Sequence, residues 1–132
     1  MGSRLILGAL VSGVDYVQAA RRRRELRAEL QAAMAGLDVV LTAGAPGEAP
    51  KIDNVPIWDL FERPSFTIPF NVAGYPAISV CAGFGAGGLP VAIQLVGKPF
   101  QEPTVFRVAD ALEKATPFRS QRPALVSDRV TA

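Results

Sequence analysis

The chain has 132 residues, 49% of them apolar, with 14 Lys and Arg against 12 Asp and Glu. That length holds one domain at most, the apolar content excludes a disordered chain, and a net charge of +2 does not demand a nucleic-acid partner. The lack of any His and the single Cys exclude a Ser-His-Asp or Cys-His centre, a His-based metal site and an internal disulfide.

No apolar run approaches the roughly 20 residues that span a bilayer, and no secretory leader pattern is present. A cytoplasmic protein without membrane contact is therefore expected. Ser3 precedes the run Arg4-Leu-Ile-Leu-Gly-Ala-Leu-Val11. This reads as a short helix with Ser3 as its N-cap, apolar nearly all round and hence expected to be buried. Ser12-Gly13 breaks it, and a longer helix is expected from about Val14 to Ala35. Asp15 stands in its first turn, where a negative charge suits the dipole. Leu26, Leu30, Ala33, Met34 and Leu37 recur at helical spacing, and Gly36 suits the C-terminal stop. Arg21 to Arg24 are consecutive, so they point around most of the helix and make no flat basic patch. With Glu25 and Glu29 nearby they read as a solvated face, and nucleic acid is not an expected partner.

Leu37-Asp-Val-Val-Leu-Thr42 is short and β-branched, a strand. Four Gly and Pro residues keep Ala43 to Pro50 in a loop, and the stretch to Ser65 is irregular with one helical turn near Pro56 to Phe61. Thr67 is placed to cap a short helix in which Pro69 fits the first turn and which Gly74 and Pro76 end. Two apolar runs follow, Ala77 to Ala82 and Leu89 to Val96, joined by the turn Gly83-Phe-Gly-Ala-Gly-Gly88. They read as adjacent strands, apolar on both faces and so expected inside a covered sheet. The Gly-rich turn lacks the Lys-Ser/Thr of a phosphate-binding loop and joins strand to strand, which makes it a plain hairpin turn. Cys81 lies within an apolar run and reads as a structural thiol. Gln101 and Glu102 open the last helix, with Pro103 near its first position and Val105, Val108, Ala109 and Leu112 as its buried stripe. Residues 1–118 are expected to form the folded unit, and 119–132 a loose polar tail.

Residues 67–107 carry a long ordered pattern. It comprises Thr67, Pro69, Asn71, Gly74, Pro76, Ser79 and Val80, then Gly88, Leu89, Pro90, Gln94, Leu95, Gly97, Lys98, Pro99, Phe100 and Glu102. In this pattern and its spacing the chain resembles the C-terminal third of the amidase signature family. Arg4-Leu-Ile-Leu-Gly8, Asp15-Tyr-Val-Gln-Ala19 and Asp38-Val-Val-Leu-Thr42 with Ala49-Pro50 are similar to upstream segments of the same family, so the likeness spans roughly residues 3–118. Cys81-Ala82 departs from it, since the family commonly has Pro-Cys there.

The resemblance implies an α/β fold, a C-terminal fragment of the amidase signature fold with a layered mixed sheet flanked by helices. The family hydrolyses carboxylic amides, or transfers their nitrogen, with a Ser–cis-Ser–Lys triad and no cofactor or metal. A Lys held neutral takes the nucleophile's proton through the bridging Ser, and backbone N–H groups stabilise the oxyanion. None of these three residues has a counterpart here, and Lys51, Lys98 and Lys114 lie in no catalytic context of the family. By the same resemblance Arg4 falls near the charged end of the substrate in amidotransferase-like members, where a guanidinium suits a carboxylate. Thr67 and Asn71 stand where a backbone cap is needed and read first as structural; the resemblance implies that they also shape a loop beside the family's substrate cleft and contact the substrate.

Two readings follow. In one, the chain is the C-terminal part of an amidase-type hydrolase, inactive without a preceding N-terminal part. In the other, it is a stand-alone binding or assembly module derived from an amidase. Either leaves apolar faces short of cover, and a homo-oligomer is expected.

Overall fold

The computed structural model describes residues 8–55 and 65–122. Helix α1 spans Gly13–Ala33, and its start is set by a reciprocal cap. The Ser12 Oγ accepts the Asp15 N–H at 3.1 Å, while the Asp15 carboxylate accepts the Ser12 N–H at 3.2 Å and its hydroxyl at 2.7 Å. Two N–H groups that a helix start leaves unpaired are satisfied together. The helix ends at Met34, which drops into the core with Phe70, Ala73, Tyr75 and Val96.

Most of α1 is exposed, and it meets the other described elements chiefly through α2, Ile68–Ala73. The expected burial of the first apolar run is corrected where it can be seen. Leu10 and Val11 are 77% and 58% exposed, because no described element packs on that end of α1. The rest of that run, with Ser3 and Arg4, lies outside the described residues, as does the helical turn expected near residues 56–61.

Three strands follow in the order β1-β3-β2, with β1 at Val39–Ala43, β2 at Ala77–Phe84 and β3 at Pro90–Gly97. Both pairings are antiparallel, and with the helices the strands make the α/β fragment that was expected. The two runs expected as adjacent strands pair as a hairpin, with a bulge between Cys81 and Gly83. The turn closes through Gly85 N–H to Leu89 O and Gly88 N–H to Gly85 O, each 3.0 Å.

The register sorts the side chains into two faces. Ile78 and Leu41 lie opposite Leu95. On that side Val80 and Leu95 pack against Val105 and Ala109 of α3, Glu102–Ala115. Val40 and Ala77 lie opposite Val96 on the other side, where Met34, Phe70 and Tyr75 cover the sheet. Full cover was expected for both strands of the hairpin. It holds for β3 from Gln94 to Gly97, but Ala77, Ser79 and Ala82 of β2 are exposed. The reason is position: β3 is central, whereas β2 and β1 are the two edges.

Past α3, a 3-10 turn at Phe118–Ser120 sets the Phe118 ring edge-on to Phe84, 6.0 Å between centroids. No helix among the described residues is long and apolar enough to cross a membrane.

Candidate functional site

Two residues along β3 from Val96, the covered face changes character. Thr42 of β1, Gln94 of β3 and Ser79 of β2 stand opposite one another, a polar row across all three strands. Thr42 is half-buried and Ser79 exposed, whereas Gln94 is only 5% exposed. A buried carboxamide is costly unless its polar atoms are paired. The Gln94 Nε2 donates to Thr42 Oγ1 and to the Phe66 carbonyl, each at 3.2 Å.

The second bond draws the segment before α2 onto the sheet. There the Ser65 Oγ lies 3.1 Å from Thr67 Oγ1 and accepts the Ile68 N–H at 3.3 Å. The cap therefore comes from Ser65 and not from Thr67, which corrects the expectation from sequence. Thr67 has helical backbone angles, φ −96° and ψ −28°, and makes no side-chain cap bond. A capping hydroxyl sits on extended backbone ahead of the first turn. The other end of α2 behaves as expected. Gly74 adopts φ +75°, and its N–H and that of Tyr75 bond to Phe70 O. Arg23 Nε donates to Val72 O at 2.6 Å, a cation on the negative end of α2.

Of the residues singled out from sequence, Thr67 is half-buried beside the polar row, and Asn71 is exposed on α2 one turn on. The structure brings these two into one neighbourhood with Ser65, Gln94 and Thr42. Sequence reasoning passed over Gln94 and Ser65 as site residues. The signal for Gln94 was present, since it is the one amide in the otherwise apolar run Val91-Ala-Ile-Gln-Leu-Val96.

The lysines are elsewhere. Lys98 Nζ donates to Ala35 O at 3.3 Å and Lys114 Nζ pairs with Asp110 at 2.7 Å. No hydrogen bond among the described residues joins a lysine to a serine hydroxyl. Lys98 also borders a cleft of about 680 Å3 between α1 and the end of β3, with Arg27, Gln31, Met34 and Tyr75 on its walls.

The Amidase family model matches residues 3–106. The chain belongs to the amidase family. It is 37% identical to the A subunit of the glutamyl-tRNA(Gln) amidotransferase of Bacillus cytotoxicus, an alignment that covers 92% of this chain and 27% of that protein. Its fold superimposes on the crystal structure of the corresponding A subunit from Thermotoga maritima with a TM-score of 0.69 at 36% identity, over 86% of this chain and 26% of that one. It is similar also to 6-aminohexanoate cyclic dimer hydrolase, with a TM-score of 0.77 at 27% identity, over 89% of this chain and 28% of the hydrolase. The chain thus spans about a quarter of the length of the amidase relatives it matches.

Proposed function

We propose that these residues are the carboxy-terminal part of an amidase-type catalytic unit, building one wall of the cleft that holds a carboxylic amide. The nucleophile, the bridging hydroxyl and the lysine that activates it come from a preceding segment. The observation that carries this reading is the match to about a quarter of each relative, joined to a sheet whose polar row faces away from α3. Thr67 and Asn71 supply polar contacts to the substrate from the start of α2, and Arg4 holds its anionic end. The unit is cytoplasmic. When the catalytic segment is missing the chain associates with itself. Hydroxyl and amine groups do the proton transfers in such a site, so the chemistry calls for no cofactor.

The test is an assay of the purified chain on a panel of aryl and aliphatic amides and esters, alone and co-expressed with an amidase lacking its matching quarter. Hydrolysis is expected only in the co-expressed sample. Turnover by the isolated chain that vanishes on replacing any one of Ser3, Ser12, Ser65, Ser79, Ser120 or Ser127 overturns the reading.

A further inference from the structure

We infer that Gln94 is a positioning residue, which sets the height of the segment carrying Thr67 and Asn71 above the sheet. Gln94 is the buried polar residue of the described core. Its carboxamide has one orientation. The Phe66 carbonyl can only accept, so the NH2 group must face it, and the Thr42 hydroxyl receives the second N–H. One side chain on the central strand thereby clamps β1 on one side and the backbone before α2 on the other.

From Phe66 O the connection runs on through covalent and hydrogen-bonded steps. Thr67 follows directly, its Oγ1 touches Ser65 Oγ, and Ser65 Oγ holds the Ile68 N–H. The Thr67 carbonyl in turn accepts the Asn71 N–H at 3.1 Å. Both proposed substrate contacts hang on this chain of bonds. Apolar packing fixes the far end of α2 through Phe70 and Ala73. Near its start the link to the sheet is the Gln94 amide.

Side-chain chemistry distinguishes positioning from mere core filling. Methionine in place of Gln94 keeps the length and the burial but removes both donors, leaving the Phe66 carbonyl without its partner. Glutamate presents an acceptor to an acceptor when ionised. When protonated it offers one O–H that re-forms the bond to Phe66 O. Burial raises the pKa of such a carboxyl, so the switch falls within a measurable range.

Hydrogen exchange of the chain reads this directly. The Ile68 and Asn71 amides report on the start of α2, and the Gly44 and Gly97 amides, bonded to Ala92 O and Pro76 O, report on the sheet. In Gln94→Met, protection of the first group should fall by about tenfold relative to the second. In Gln94→Glu, compared with the unsubstituted chain at each pH, protection of the first group should be lost at neutral pH and recover as pH falls. Unchanged protection near α2 in Gln94→Met overturns the inference, and so does an equal loss at both groups. Should Gln94→Met fail to fold, the pH series of Gln94→Glu decides alone, and a flat profile refutes the positioning role. The inference bears on the cleft proposed above, but exchange needs no substrate. Its failure is therefore separable from failure of the amidase reading, which the activity assay tests.

Discussion

The Glu48 carboxylate accepts the Gly87 N–H at 2.8 Å, across 39 residues of sequence. Glu48 belongs to the Gly- and Pro-rich loop after β1, and Gly87 to the hairpin turn between β2 and β3. A Cβ on Gly85 or on Gly87 would run into the Glu48 side chain, so two glycines of the turn make room for this one carboxylate. The glycine-rich turn that invites comparison with an anion-binding loop thus holds an anion from its own chain.

Replacing Glu48 with Ala should release the loop of residues 44–50 while leaving the sheet in place. The expected cost is about 1 kcal/mol for an exposed bond to a charged group. Limited proteolysis is the measurement, with faster cleavage in residues 44–50 expected in the variant. Gly87→Ala, which pushes the Glu48 side chain aside, should reproduce the effect.

Gly97 ends β3 beneath α3. A Cβ there would collide with Val105 Cγ2 and approach Pro76 Cγ at 3.9 Å. Val105 is itself buried in the α3 cluster. Gly97→Ala should therefore destabilise the chain by about 1–3 kcal/mol, the usual cost of overpacking. Urea unfolding checks it. The paired variant Gly97→Ala with Val105→Ala should recover part of the loss, because the second change vacates the space the first one needs.

The Asp15 carboxyl is held below its ordinary pKa, first by the hydrogen bond from the Ser12 side chain and then by that from the Ser12 backbone. A depressed folded-state pKa means that the cap stabilises α1 above the unfolded value and that this contribution disappears as pH falls through the lowered folded value. Fraying of the start of α1 is therefore expected only below about pH 4. Helical circular dichroism followed from pH 6 downward should show the loss, and Asp15→Asn should abolish that part of the pH dependence.

Strands β1 and β2 each leave one edge unpaired among the described strands, and Leu41 on β1 is 60% exposed beyond the reach of α3. Such edges pair readily with another chain, and a two-fold arrangement closes most simply. Light scattering at low micromolar concentration should give a dimer or larger species. A clean monomer without a bound partner would show that the chain closes its own core and would favour the stand-alone module.

What was legible in the sequence was local. Apolar period, caps and glycine punctuation located α1, all three strands and α3 to within a few residues, because those signals act through neighbouring backbone groups. The left-handed stop at Gly74 needs only the missing Cβ, whereas the capping box of Ser12 and Asp15, local as it is, was passed over when Ser12 was read as a break between helices. The ordered pattern from Thr67 to Glu102 was enough to point to the family, since it records many positions at once.

Distance in the chain concealed the rest. That Ser65, not Thr67, caps α2 depends on where the Gln94 amide pulls the Phe66 carbonyl, a contact across 28 residues. That β2 is an edge with one exposed face, although its residues read as buried on both, depends on which strand lies in the centre. An apolar run states what a strand is able to bury. Only the assembled sheet decides what there is to bury it against, because cover comes from elements that the strand's own sequence does not encode.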